Sequence, residues 1–277
     1  MLKSFKLTIL ISLLTLSCEM VFGTEQAPDR LIYQGDTLSL FANPLEQLFR
    51  NGTPRPDIFK GKEACWTTGC WRGYQATWTI IEKQLYLTEI ASCCFSEDGI
   101  KADLKELFGS KYADARVKVD WYTDTVIAPQ GKVLYYGQLG YSSLHEKELE
   151  LRFKNGRLTG TTMYDNSKSR PSVYYGNRKK LEDFIYSNIN WSKLPGAGKK
   201  VIRVVAYFSA NENGVVDSVR IMPGSPRKYD RETVRVIKSI PDWDIVYQHG
   251  KFRRRQDGFR IVFSEANKLK YWNSRRN

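Results

Sequence analysis

Histidine is scarce in this chain, with two among 277 residues, and acidic side chains are outnumbered, 30 against 43 lysines and arginines. So few imidazoles leave little material for histidine-built metal centres or for relays that need a base titrating near neutrality. No Gly-x-Ser-x-Gly elbow, Walker loop, dinucleotide fingerprint or His-Glu-x-x-His occurs, so the best-marked hydrolase, nucleotide and zinc-protease chemistries lack their signatures. The longest apolar run, Leu7 to Leu16, is half the roughly 20 residues a membrane helix needs. The 10 prolines are scattered, with no stiff Pro-rich spacer among them. His145, with Glu146 and Glu148, reads as a solvated loop between strands, a base or metal site being the rival; His249 beside Gly250 reads as a turn.

The formal net charge is +13, and it is uneven: from Lys199 onward 18 lysines and arginines face 8 aspartates and glutamates. Such a field attracts polyanions, and in a cytoplasmic protein nucleic acid would come first. Residues 1–23 redirect that expectation. Lys3 and Lys6, the apolar run, and Val21-Phe22-Gly23 at a cleavage site form an export signal. The expected location is periplasmic or secreted, with anionic envelope polymer rather than nucleic acid as the charged partner. A rival reading makes Cys18 the lipidated first residue of a lipoprotein.

Four further cysteines follow: Cys65, Cys70, Cys93 and Cys94. In an exported protein they predict disulfides, one from Cys70 to Cys93 or Cys94, with Cys65 taking the other. Four thiolates also suggest zinc, but adjacent Cys93 and Cys94 chelate awkwardly. No metal and no cofactor is expected.

Along the chain, Asp36–Phe41 reads as a strand and Pro44–Arg50 as a helical turn. Tyr74–Ile81 and Leu85–Ile90 form a hairpin turned at Glu82-Lys83-Gln84, and Asp103–Phe108 is a short helix. Strands are predicted over Val117–Tyr122, Lys132–Tyr136 and Glu148–Phe153. The last is joined to Leu158–Met163 by Asn155-Gly156, a strong hairpin signal. These make an antiparallel, β-rich domain over 24–165. Polar residues 166–177 read as a linker, and Arg178–Ile189 as a helix opening a second domain over 178–266, with a basic tail over 267–277. The fold class is α+β.

The second domain is the most legible part. Val201–Phe208 alternates, Asn211-Glu212-Asn213-Gly214 reverses it, and Val215–Met222 returns as a strand closed by Pro223-Gly224-Ser225-Pro226. Asp230 suits an N-cap for a helix carrying Thr233, Val236, Ile237 and Ile240, which Pro241 ends. Gly258–Phe263 is the third strand, giving ββαβ order.

That order, with "NENG", "YDRETVRVIKSIPDW", "QHGK" and "FRIVF", resembles the C-terminal domain of TonB-type energy transducers across the last third of the chain. Arg260 stands where that family often has proline. The resemblance implies a periplasmic domain that meets outer-membrane receptor peptides by strand addition, and so a link to transmembrane transport. The chain lacks an anchor and stiff spacer, so it is expected to carry such a domain in the cell envelope rather than to transduce energy. The expected peptide edge is Gly258, Phe259, Arg260, Ile261, Val262 and Phe263, pairing through its backbone. Its occupant is an envelope or outer-membrane protein, self-pairing being the other possibility. Lys251, Arg253, Arg254 and Arg255 are the candidate polyanion cluster, near a tail with Lys268, Lys270, Arg275 and Arg276. The leading function is non-catalytic protein–protein interaction. The alternatives are an adaptor binding anionic polymer, and an enzyme with its site in the first domain.

Overall fold

The computed structural model describes residues 24–50, 54–61, 67–93, 99–195 and 200–273. The fold is α+β, with several sheets and short helices. The chain divides into two compact units. The first runs to Val126 and adds Tyr136–Ser143 and Phe153–Thr159; the second takes Ile127–Tyr135, Leu144–Arg152 and the described residues from Gly160 on.

In the first unit, β1 (Asp29–Tyr33), β2 (Asp36–Leu40), α1 (Pro44–Arg50), β3 (Tyr74–Ile81) and β4 (Gln84–Ser92) are followed by α2 (Leu104–Phe108). The small hairpin β5 (Tyr112–Ala113) and β6 (Arg116–Lys118) comes next. Three longer strands, β7 (Asp124–Tyr135), β8 (Leu144–Lys154) and β9 (Arg157–Asp165), contribute residues to both units. Within the first unit the strand order is β2-β1-β3-β4-β9, with β1 and β3 parallel. The expected turns appear with paired positive φ at Glu82-Lys83 and Asn155-Gly156, as tight two-residue hairpins require. Asp103 caps α2, accepting from the Glu106 N–H at 3.0 Å.

Alternation on β3 buries Tyr74, Ala76 and Trp78. Against them lies a charge pair with no exposure: Asp29 accepts from Trp78 Nε1 at 3.0 Å, from the Ala76 N–H at 3.1 Å and from Arg72 Nη2 at 3.3 Å. Burial raises the Asp29 carboxyl to about 6 despite that arginine. Tyr74 donates to Glu46 Oε1 at 2.8 Å, and Arg72 to Tyr141 Oη at 3.1 Å, so the core has a polar centre.

The second unit holds the remaining parts of β9, β8 and β7, neighbours in that order, and a C-terminal module. The module comprises α3 (Arg178–Ser187), β10 (Ile202–Ala210), β11 (Val216–Ile221), α4 (Arg227–Lys238), the minute hairpin β12 (Tyr247–Gln248) and β13 (Lys251–Phe252), β14 (Asp257–Phe263) and α5 (Glu265–Asn273).

Four expectations are corrected. Residues 166–177 are packed within the second unit rather than forming a linker: Asn166 is fully buried, donating to the His145 carbonyl and accepting from the Gly250 N–H, and Arg170 bridges Ile245. The division between units therefore falls within β7, β8 and β9. His145 and Glu146 are strand residues of β8, not loop, on the same strand as Glu148. Asp230 is not the N-cap; α4 starts at Arg227 behind Pro226, and Ser225 Oγ donates to Asp230 inside the first turn. The tail is helical through Asn273, with Tyr271 buried on Tyr186.

Candidate protein-interaction surface

The C-terminal sheet has the order β11-β10-β14, so its central strand is the first in sequence and both others are edges. The reversal between β10 and β11 is set by Asn211, whose Oδ1 accepts from the N–H groups of Asn213 and Val215 at 3.0 and 3.1 Å. Gly214 takes φ +77, and a Cβ there would lie 2.6 Å from Asp242 Oδ1 and 3.0 Å from the Trp243 carbonyl oxygen. Trp243 in turn donates its N–H to the Gly214 carbonyl, tying the turn to the chain behind α4.

Register decides the two faces. Val204 lies opposite Ile261 and Ala206 opposite Phe259, all buried against Ile185, Val236 and Ile237 of the helices. The alternate residues point the other way: Arg203, Val205 and Tyr207 from β10, Arg220 from β11, and Gly258, Arg260 and Val262 from β14. Arg203, Arg220 and Arg260 are exposed there. The Arg220 guanidinium sits 5.0 Å from the Tyr207 ring centre, and that ring covers Gly258, where a Cβ would meet it at 3.3 Å.

The same register assigns the main-chain groups. Met222 N–H donates to the Val205 carbonyl, so odd-numbered residues of β10 pair with β11 and even-numbered ones with β14. On β14, Asp257, Phe259, Ile261 and Phe263 therefore face β10, while Gly258, Arg260 and Val262 direct N–H and C=O outward. Val262 is sealed: its N–H donates to Tyr186 Oη at 2.9 Å and its carbonyl accepts from Asn267 Nδ2 at 2.8 Å. Burial raises the Tyr186 phenol, which keeps it a donor-acceptor at neutral pH. Among the described residues, the outward groups of Gly258 and Arg260 meet no partner. The expected six-residue edge thus shrinks to a window centred on these two. By the same parity β11 turns Val219 and Ile221 outward, a second edge that strand order alone did not reveal because it depends on which strand is central.

All four residues of the expected basic cluster, Lys251, Arg253, Arg254 and Arg255, are exposed. Arg254 reaches both oxygens of Asp217, the second at 3.0 Å, and Ser209 Oγ at 3.2 Å; the bond holds the Asp217 carboxyl below its ordinary range. Arg255 lies 5.9 Å over Tyr135. The open face of the sheet carries Arg203, Arg220 and Arg260.

A disulfide joins Cys70 to Cys93, one of the two expected pairings, bridging the residues just before β3 and just after β4. Cys18, Cys65 and Cys94 lie outside the described residues. No cluster of three metal-ligating side chains occurs among the described residues. His249 comes to Glu148 rather than to His145: its N–H donates to Glu148 Oε2 at 3.2 Å, its Nε2 stands 3.6 Å away, and its ring stacks on Tyr164. That contact serves the turn between β12 and β13. No described helix is long and apolar enough to cross a membrane, and the disulfide fits an oxidising compartment. No family model, curated protein or solved structure matches the chain.

Proposed function

We propose that this is an exported, periplasmic or secreted, non-catalytic interaction protein whose C-terminal module receives an extended segment of another cell-envelope protein by strand addition at β14. The observation that carries the reading is the pair of unpartnered main-chain positions, Gly258 and Arg260, on a strand with a single sheet neighbour. The TonB-like order of elements supports the same docking mode and a link to outer-membrane transport. A residue added opposite Arg260 would lie on the arginine-bearing face, which favours an acidic side chain there.

The test compares Arg260→Pro with Val262→Pro in the full-length chain. Proline at 260 removes an outward N–H and leaves the ladder to β10, so thermal stability should hold within a few degrees while binding goes. Proline at 262 breaks the bond to Tyr186 and should lower stability by about 1 kcal/mol or more. Envelope proteins retained by wild type are compared with those retained by Arg260→Pro, and an extended peptide from any that is lost is titrated while the Gly258 and Arg260 amides are followed by NMR. Equal retention by a folded Arg260→Pro protein, or a peptide that leaves those amides unmoved, refutes docking at this edge.

A second reading, an adaptor for anionic envelope polymer, is favoured by one observation: the open sheet face gathers three exposed arginines.

A further inference from the structure

The first unit contains an opening that strand addition does not use. A cavity of about 420 Å³ lies between α1, α2 and the stretch before β7. Its walls are Leu45, Leu48 and Phe49 from α1, Leu107 and Phe108 from α2, and Trp121, completed by prolines and isoleucines. Spacings of three and four on α1 place its three apolar residues on one helix face. Leu48, Phe49, Leu107 and Phe108 are all half-buried, so they line the space rather than close it.

Two features narrow what fits. The indole of Trp121 has its N–H committed to the Pro44 carbonyl at 3.1 Å and stacks with Phe108, leaving ring surface and no free donor facing a ligand. Apart from Lys111, the lining side chains are apolar or have their N–H committed, which disfavours recognition of a sugar or a base. Its one charged member is Lys111, exposed, whose Nζ stands 5.7 Å from the Trp121 ring centre and 3.3 Å from Asp120 Oδ1. Asp120 Oδ2 follows at 3.5 Å, and both oxygens belong to one exposed carboxylate, which a ligand carboxylate can exchange with or join at the three-donor ammonium. The size falls within the roughly 300–1,000 Å³ of small-molecule sites.

From apolar walls, a single cation and this volume, we infer that the cavity binds a free single-chain amphiphile with a carboxylate head, the chain buried against the helices and the head at Lys111.

The probe is a dansyl-labelled undecanoate titrated into the full-length oxidised protein, with unlabelled laurate and dodecanol as competitors. The expected result is saturable one-to-one binding with blue-shifted emission, displaced by both competitors. Leu48→Trp and Leu107→Trp, made separately to fill the space, should each weaken the probe by about tenfold, the equivalent of about 1.4 kcal/mol. Lys111→Gln should weaken laurate about threefold to fivefold, the scale of an exposed ion pair, and leave dodecanol unchanged. Non-saturable binding to wild type overturns the inference. So does unchanged affinity in either tryptophan variant that keeps the wild-type thermal midpoint. If neither folds, the Lys111→Gln comparison decides, and equal loss for acid and alcohol overturns the inference. Binding only to vesicles of anionic phospholipid, with no monomer binding, also counts against it.

Discussion

Asp29 and Gly156 show how single residues carry constraints their neighbours impose. Asp29 is fully buried and its carboxyl is raised to about 6 from 3.8, so the folded protein holds a proton that the unfolded chain has released between those values. Stability from this group is therefore fully present below about pH 4, falls as pH rises towards 6, and stays reduced above it. A shift of this size corresponds to about 3 kcal/mol. Urea denaturation of wild type from pH 4 to 7 should show that decline, and Asp29→Asn should flatten it; parallel profiles would assign the slope elsewhere. Gly156 has φ +71, and a Cβ there would come 1.7 Å from the Val119 carbonyl oxygen, which is backbone and cannot swing away. Gly35, at φ +90, has open space around it. Gly35→Ala should cost about 1–2 kcal/mol, the strain of a left-handed residue alone, and Gly156→Ala clearly more. Similar losses in melting temperature would contradict the close approach. The Asn-Gly pair announced the turn; only the packed Val119 shows why this glycine has no substitute.

At the scale of elements, the first hairpin is both patterned and stapled. Alternation and β-branched content made β3 and β4 readable, and Cys70–Cys93 closes a sequence separation of 23 across their open ends. Replacing both cysteines with serine should lower stability by about 3 kcal/mol from released loop entropy, measured by denaturant titration of oxidised protein. A change below 1 kcal/mol would mean that the hairpin is held by its ladder alone. β1 escaped prediction because Asp29-Arg30-Leu31-Ile32-Tyr33 has little apolar alternation; it is a strand because β2 and β3 pair with it on either side. β8 was read short for a related reason. His145, Glu146 and Lys147 look like loop, yet Glu148 finds His249 and Glu146 accepts from the Lys132 N–H at 3.1 Å. Polar residues in strands are legible only with their partners in view.

Across the whole molecule, the charge of +13 acts as a field that no single pair defines. Retention of the full-length protein on an anionic polysaccharide matrix should fall steeply with salt, and Arg203→Glu with Arg260→Glu should cut it far more than Lys251→Glu with Arg253→Glu. Salt-independent retention, or the reverse ranking, would remove the polymer reading of the open face. Exposed charge of this kind is screened over about 8 Å at physiological ionic strength, so placement on one face matters more than the total.

The amino-acid pattern by itself determined the α+β class and the main hairpins, and it narrowed the partner of Cys70 to Cys93 or Cys94, because periodicity, turn chemistry and cysteine spacing are local. Tertiary structure decided which strand is central, that Tyr186 and Asn267 close part of the β14 edge, which arginines share a face, and that residues 166–177 are packed. Each of these depends on contacts between residues tens of positions apart, whose register and burial no local pattern contains.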